Sequence, residues 1–450
     1  MTNRSALTAE VDVSKRRVAV IGSGISGLAV AYKLAEFAHV TLFEAGSHFG
    51  GHTNTVDVTL DGHTHGVDTG FLVLNERTYP NLLRLFGELG VELAKSDMSF
   101  SAQVRERKLE WCGSDLNALF AQRCNLLRPR FWRMLADIVR FNRLASALAH
   151  SAIGDKLQQS IGEFLVERRF SEAFREDYLL PMIGCIWSCP TEQMLDFPMA
   201  TMIRFCHNHG LLQISKRPQW LTVKGGARNY VERMLKFIPD ARLNTPVHRV
   251  RRLPGGLVSG GVMVGTAQGQ ENFDEVVLAC HSDQSLALLA EPSADERAVL
   301  GAIGYHANRA VLHTDTSVLP RRRRAWAAWN YERATDPAQE GTSVCLHYLI
   351  NRLQPLPFST PVVVSLNPIT PPRADAVLAE IDYAHPVFDQ AAIAAQRRVP
   401  ELQGQGQVWF CGAWTRYGFH EDGLISALAV CDQMRARWAT TVQPQMREAA

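Results

Sequence analysis

One run of eighteen residues, RVAVIGSGISGLAVAYKL (17–34), constrains the fold of this chain more than any other. It opens with Val18, Ala19, Val20 and Ile21, a short apolar stretch with the character of a buried parallel strand. Gly22, Ser23, Gly24, Ile25, Ser26 and Gly27 follow in G-x-G-x-x-G spacing. Leu28, Val30, Ala31 and Leu34 then recur at helical intervals. Strand, glycine turn and helix in this order are the fingerprint of a dinucleotide site. The first glycine permits the turn, the second admits a pyrophosphate and the third lets helix and strand pack closely. The helix N-terminus then faces the phosphates. A second apolar run, Val40 to Phe43, ends at Glu44 and Ala45, with Glu44 20 residues beyond Gly24. An acid at that distance suits a ribose diol.

The 450 residues allow two or three domains and a large core. The balance of 47 basic and 45 acidic residues gives no reason to expect nucleic acid as a partner. Nine cysteines are scattered without a C-x-x-C pair, which reads as buried free thiols in a reducing, cytoplasmic setting. Residues 1–15 read as a disordered leader; the polar N-terminus lacks the apolar region of a signal peptide. No run of 18 apolar residues offers a membrane span.

Farther along, Gly50 and Gly51 again allow close backbone approach, and His52, Thr53, Asn54 and Thr55 supply donors. Asp68, Thr69, Gly70 and Phe71 suggest a strand end and tight turn, and Pro80–Leu89 a helix. The stretch from Cys112 to Ala149 reads as helical, with Arg123, Arg128, Arg130, Arg133, Arg140 and Arg143 interleaved with apolar residues. That pattern is either a solvated helix face or a basic amphipathic surface on anionic lipid. Residues 178–226 carry many apolar and aromatic side chains with little strand alternation. They suit either the lining of an apolar pocket or ordinary core. His207 and His209 lack the spacing of a metal pair, and no metal site is expected. Residues 257–279 read as a hairpin followed by a buried strand, and Arg321–Arg324 as a solvated basic turn. Near the end, Val408–Gly412 and then Asp422, Gly423, Leu424 and Ile425 repeat the logic of strand, glycine and helix.

This set of motifs resembles the flavin-containing amine oxidase superfamily. The resemblance implies an α/β fold: an amine-oxidase-like Rossmann-type FAD-binding domain with an interleaved α+β substrate domain. The expected FAD-binding segments are 16–90, 217–285 and 400–440, and the substrate segments are 91–216 and 286–399. It implies non-covalent FAD, with Glu44 at the adenosine ribose, Gly51, His52 and Thr53 along the pyrophosphate, and Thr69, Gly70 and Phe71 near the isoalloxazine. Val247 is expected at the adenine, and the segment from Gly412 to Ile425 at the flavin. The superfamily usually carries arginine where this chain has His52. Longer runs, including GGHTNTVDV (50–58), RPQWLTVKGGARNYV (217–231) and CGAWTRYGFHEDGL (411–424), resemble bacterial FAD-dependent oxidoreductases encoded beside cyclopropane-fatty-acid-synthase-like methyltransferases. They are similar also to the N-terminal module of plant cyclopropane fatty acid synthases.

The resemblance implies a flavoprotein linked to modified acyl chains, with a lipid-derived substrate, a lipid methyltransferase as partner and peripheral contact at the inner face of the membrane. Many amine oxidases place a lysine beside the flavin, from the half of the chain that here has none after Lys236. His420, Tyr417 and Trp414 are the candidate catalytic residues, with His420 either a base or a brace for the following helix. Glu421 and Asp422 are candidate caps of that helix, Asn330 and Tyr331 candidate substrate-side residues, and Cys411 a core residue rather than a flavin anchor. Three readings result: an acyl-chain oxidoreductase, a flavin amine oxidase, and a non-catalytic flavoprotein partner of a lipid methyltransferase.

Overall fold

The computed structural model describes residues 15–151, 159–188, 193–213, 217–255, 260–334 and 344–448, with backbone alone for 441–448. The proposed leader lies, apart from Lys15, outside the described residues.

The run Arg17–Ile21 is the middle strand of a five-stranded parallel sheet. Its neighbours are His39–Phe43 on one side and Glu275–Leu278 on the other, with Asp240–Arg242 and Val408–Phe410 at the edges. Alternate side chains feed two cores. Val18 and Val20 join Leu28, Val30 and Leu34 of the helix Ile25–Leu34, together with residues of Pro80–Leu89, Arg228–Leu235 and the C-terminal helix His420–Glu448. Ala19 and Ile21 face the antiparallel sheet of Val247–Arg252, Val262–Thr266 and Gly269–Phe273, and the helices Ala294–Leu300 and Gln390–Leu402. With both faces covered, the strands must be apolar throughout, which is what the sequence shows. Each fully buried Leu or Val here contributes about 1.5–3 kcal/mol relative to exposure.

A seven-stranded mixed sheet forms the second layer. Its order is Val377–Pro386, Tyr305–His313, Val363–Leu366, Cys345–Leu349, Trp329–Arg333, Phe100–Val104 and Leu109–Cys112. Helices Pro129–Ala149, Ile161–Glu167, Leu180–Trp187 and Met199–Asn208 build a separate, aromatic-rich core beside it. A small sheet of Leu74–Asn75, Trp220–Val223 and Leu93–Ser96 lies between the layers.

One expectation needs correction. The stretch Cys112–Ala149 is not helical from its start: Leu109–Cys112 is a strand paired with Phe100–Val104, and the long helix begins only at Pro129. Proline at the first helical position supplies the missing start signal. Residues 178–226 are mainly helix, but Trp220–Val223 is a strand, and 189–192 and 214–216 lie outside the described residues. Among the described residues, no helix is long and apolar enough to cross a membrane.

Candidate active site

A cavity of about 790 Å³ lies where the parallel sheet meets the seven-stranded sheet. Its walls include residues one or two positions beyond the ends of four parallel strands: Gly22, Glu44, Ala279 and Gly412. Ligands of open α/β sheets bind outside the carboxyl ends of the strands, and this crevice is such a place.

The sheet-side half is a backbone cradle. A Cβ at Gly27 would fall 1.8 Å from the Gly22 carbonyl oxygen, so only glycine lets the helix sit so close to the strand. A Cβ at Gly24 would meet nothing within 4 Å, leaving room for a ligand above that residue. Glu44 is set in place by hydrogen bonds from the backbone N–H of Ser23 (2.9 Å) and Gly46 (2.7 Å), and from the Ser23 hydroxyl. Its carboxylate thus stands at the end of the second strand with acceptor capacity to spare. Nε2 of His52, in the same wall, is buried without a hydrogen-bond partner, an unmet polar atom beside the cradle. A buried polar group in this state calls for a ligand partner. Turn, acid and orphaned imidazole fit a dinucleotide flavin.

Histidines crowd the centre of the cavity. His52 stacks on Tyr383 at 4.9 Å and lies 5.1 Å from the His385 ring. Burial and the neighbouring imidazoles hold His52 well below its ordinary pKa, and burial pushes His385 down to about 4. His281 stacks on Tyr305 at 4.3 Å, and burial lowers its pKa also. His420, the first residue of the C-terminal helix, stacks on Phe71 with ring centroids 3.7 Å apart. Its Nε2 lies 2.9 Å from Thr53 Oγ1 and 3.1 Å from Tyr230 Oη, and burial lowers its pKa to about 3. A neutral ring tied to two hydroxyls is a poor proton acceptor at neutral pH, and this arrangement favours the bracing role.

The far half is apolar and aromatic. Met98, Phe100, Trp111, Tyr178, Phe205 and Trp329 are among its walls. Among the described lining residues, Glu44 is the one carboxylate and Arg217 the one arginine or lysine. Glu44 stands at the cofactor end. Arg217 is exposed, donates from Nε to the Gln213 carbonyl (2.8 Å), and lies close enough for its charge to act on the Tyr178 phenol.

The structure brings most of the sequence-chosen residues to the cavity. Gly22, Ser23, Gly24, Ile25, Ser26, Glu44, Ala45, Gly51, His52, Gly70, Phe71, Val247, Gly412, Trp414, Tyr417 and His420 all line it. Gly27, Thr53, Thr69, Asp422, Gly423, Leu424 and Ile425 do not line it. Thr53 and Thr69 stand behind the wall, bonded to Tyr230 and Tyr383. Asp422 accepts the Phe419 N–H at the start of its own helix, as a cap would. Glu421 caps another helix instead: it accepts from Asn81 N and Nδ2 and from Leu82 N, at the start of Pro80–Leu89. Asn330 and Tyr331 are also corrected. Both are buried within the sheet away from the cavity, Asn330 bonded to Ser101 and Ala327, while Trp329 reaches the lining. Sequence reasoning missed His281, Tyr305 and His385, which arrive from the end of one parallel strand and from the outer strands of the other sheet. No local motif marks them.

Two further features are structural. Cys411 is fully buried in the core. Glu332, Cys345 and His347 place possible ligand atoms within 4.8 Å of one another. Their polar atoms are already engaged: His347 bonds Glu332 (3.0 Å) and Ser365 Oγ (2.7 Å), and Glu332 also pairs with Arg105.

Comparison with known proteins agrees with this geometry. A family model described as "Flavin containing amine oxidoreductase" matches residues 25–350. A search of curated proteins finds no match. Among solved structures, the CLA-producing fatty acid isomerase from P. acnes superposes with a TM-score of 0.64 at 14% identity, over 94% of this chain and 99% of that one. Putrescine oxidase bound to putrescine gives 0.62 at 15%, over 94% and 99%. Cyclohexylamine oxidase from Brevibacterium oxydans gives 0.61 at 16%, over 94% and 100%. At such identities these likenesses speak for the fold.

The cradle and the two-sheet cavity define a flavin-dependent oxidoreductase. The chain belongs to the flavin-containing amine oxidoreductase family, with FAD as its cofactor.

Proposed function

We propose that the chain oxidises or desaturates the acyl part of an anionic amphiphile. The observation that carries this reading is the charge of the cavity wall. Beyond the cofactor cradle it is aromatic and aliphatic, and its one described side chain of full charge is the Arg217 cation. An acyl chain gains by leaving water for such a wall. A carboxylate or phosphate head at the Arg217 end gains a charge-assisted contact. The bound flavin supplies hydride chemistry. The chain's own residues hold the substrate against it, exclude water and keep the surrounding imidazoles neutral. The likeness in fold to a fatty acid isomerase is consistent with an acyl ligand in this architecture.

The amine-oxidase reading has its own support. The family description and two solved neighbours concern amines, and Trp111, Tyr178, Trp329 and Tyr348 offer aromatic faces to a cation. Against it stand the lack of a lining carboxylate outside the cradle among the described residues, the Arg217 charge, and the absence of lysine after Lys236. Anaerobic titration of the holoprotein with acyl lipids and with amines separates the two. Bleaching of the flavin by lipids alone supports the acyl reading, and bleaching by amines alone overturns it. Flavin that neither class reduces favours the non-catalytic partner of a lipid methyltransferase.

A further inference from the structure

Four of the large exposed hydrophobic side chains and a run of arginines lie in residues 116–132 and 321–324, and we propose that the surface they build docks the protein on an anionic membrane. Large hydrophobic side chains are left in solvent there. Leu127 is 87% exposed, Leu116 75%, Trp132 49% and Leu126 46%. Scattered exposed leucines are ordinary, but a group of them with a tryptophan is not. The group is held rigidly. Trp132 Nε1 donates to the Leu126 carbonyl (2.9 Å), and the Trp132 ring packs on Phe120 at 5.5 Å.

The arginine turn lies beside this group although it is nearly two hundred residues away in sequence. Glu110 joins them. Its carboxylate accepts the backbone N–H groups of Arg321 (3.1 Å) and Arg322 (3.3 Å), while its own backbone N–H donates to Gln122 Oε1 (3.0 Å). Ala118, from the short helix Leu116–Leu119, packs with Ala325 and Ala327. All four arginines of 321–324 are exposed. Arg322 pairs with Glu110, whereas Lys108, Arg123, Arg321, Arg323 and Arg324 have no carboxylate partner among the described residues. By contrast, Arg130, Arg133 and Arg140, farther along the helix, are tied to Asp177, Glu172 and Asp137 and belong to the solvated face. Asp115 and Glu106 are the exposed acids nearby, and Asp115 is engaged in capping its helix.

Exposed leucines and a tryptophan beside cations that lack carboxylate partners are the side chains of a monotopic membrane surface. The cations favour an anionic lipid face over an uncharged protein partner. The strand Leu109–Cys112 connects this surface to the cavity, since Trp111 and Gly113 form part of the wall. A docked protein would therefore hold its cavity close to the bilayer.

The test is sedimentation of the FAD-loaded protein with vesicles of phosphatidylcholine, with and without phosphatidylglycerol. The expected result is binding to the mixed vesicles, reversed by salt because exposed charges are screened. Replacing Leu116 and Leu127 with serine should lower binding at least tenfold. Each of R323Q and R324Q should lower it about fivefold, the effect of ~1 kcal/mol per basic residue near an anionic surface. Retained flavin absorbance shows that these exposed positions leave the fold intact. Absence of binding, equal binding to both vesicle types, or variants that bind like the parent would each overturn the proposal. So would self-association abolished by the leucine variants without vesicle binding, which would make the patch a protein interface.

Discussion

His420 Nε2 lies 2.9 Å from Thr53 Oγ1, across 367 residues of sequence. That contact ties the start of the C-terminal helix to the segment after the double glycine. Tyr230 Oη joins it, 2.5 Å from the threonine and 3.1 Å from the histidine. Three segments of the cofactor half therefore meet at one buried polar knot. Thr53→Val keeps the shape and leaves both partners short of a bond. Tyr230 Oη and His420 Nε2 still bond each other, so the substitution should cost about 0.5–1.5 kcal/mol in urea unfolding, the net worth of a hydrogen bond. A loss under a few tenths of a kcal/mol would mean the knot is dispensable.

Glu421 sits 340 residues from the helix it caps and accepts three hydrogen bonds there. Its removal should loosen Pro80–Leu89 more than its own helix. Glu421→Ala is expected to lower stability by about 1–2 kcal/mol, in the upper range for caps, because the freed N–H groups are buried. Hydrogen exchange should quicken first at Asn81 and Leu82. Exchange that quickens first near residues 423–426 would point to a local cap instead.

Glu44 is the acid at the end of the second parallel strand. Glu44→Ala should weaken FAD binding by about 1.5–3 kcal/mol, the worth of a charge-assisted hydrogen bond, read by ultrafiltration of released flavin. Unchanged FAD affinity would remove Glu44 from the cofactor site.

Buried neutral histidines set the acid limit of stability. His209, His313 and His385 have pKa values lowered to about 4 and His420 to about 3, mainly by burial, and His52 is lowered further than its ordinary range by the same cause. A histidine depressed in the folded state contributes stability above its unfolded pKa of ~6.5 and loses it as pH falls toward the folded value. Asp68 and Asp422, raised to about 7 and about 6 by burial, act in the opposite direction over part of this range. At pH ~5 the lowered histidines, His281 among them, outnumber the two raised aspartates, so unfolding takes up protons on balance. Melting temperature should therefore fall steadily from pH ~6.5 to ~5, and a flat profile would contradict the neutral cluster.

Arg217 gives the substrate reading a residue-level check. Arg217→Leu should raise the half-saturating concentration of an anionic acyl substrate about tenfold or more while leaving FAD content unchanged, because a charge-assisted contact worth ~1.5–3 kcal/mol is lost. Equal effects on anionic and uncharged acyl substrates would assign Arg217 to packing alone.

The cofactor half was legible because its signals are local. A strand, three glycines and an acid at fixed spacing need only their own neighbours to be recognised. The C-terminal strand and helix follow the same rule. Substrate-side residues behave differently. Asn330 and Tyr331 sit in a central strand covered on both faces, and no periodicity tells which of Trp329, Asn330 and Tyr331 reaches the cavity. Glu421 has the chemistry of a cap, but chemistry does not say which helix. His281 and His385 become neighbours only when the two large sheets close on each other. The stretch Cys112–Ala149 is helical only in pieces before Pro129, because Cys112 ends a strand held by its pairing with Phe100–Val104, a partner that local composition does not show.

An acyl substrate is expected to reduce the bound FAD. Anaerobic mixing of the holoprotein with an anionic acyl lipid, and separately with mono- and polyamines, tests it most directly through flavin absorbance. Loss of the oxidised flavin band with the lipid, and none with the amines, is the predicted result. Rapid loss with an amine, hydrogen peroxide in air and no response to lipids would contradict it.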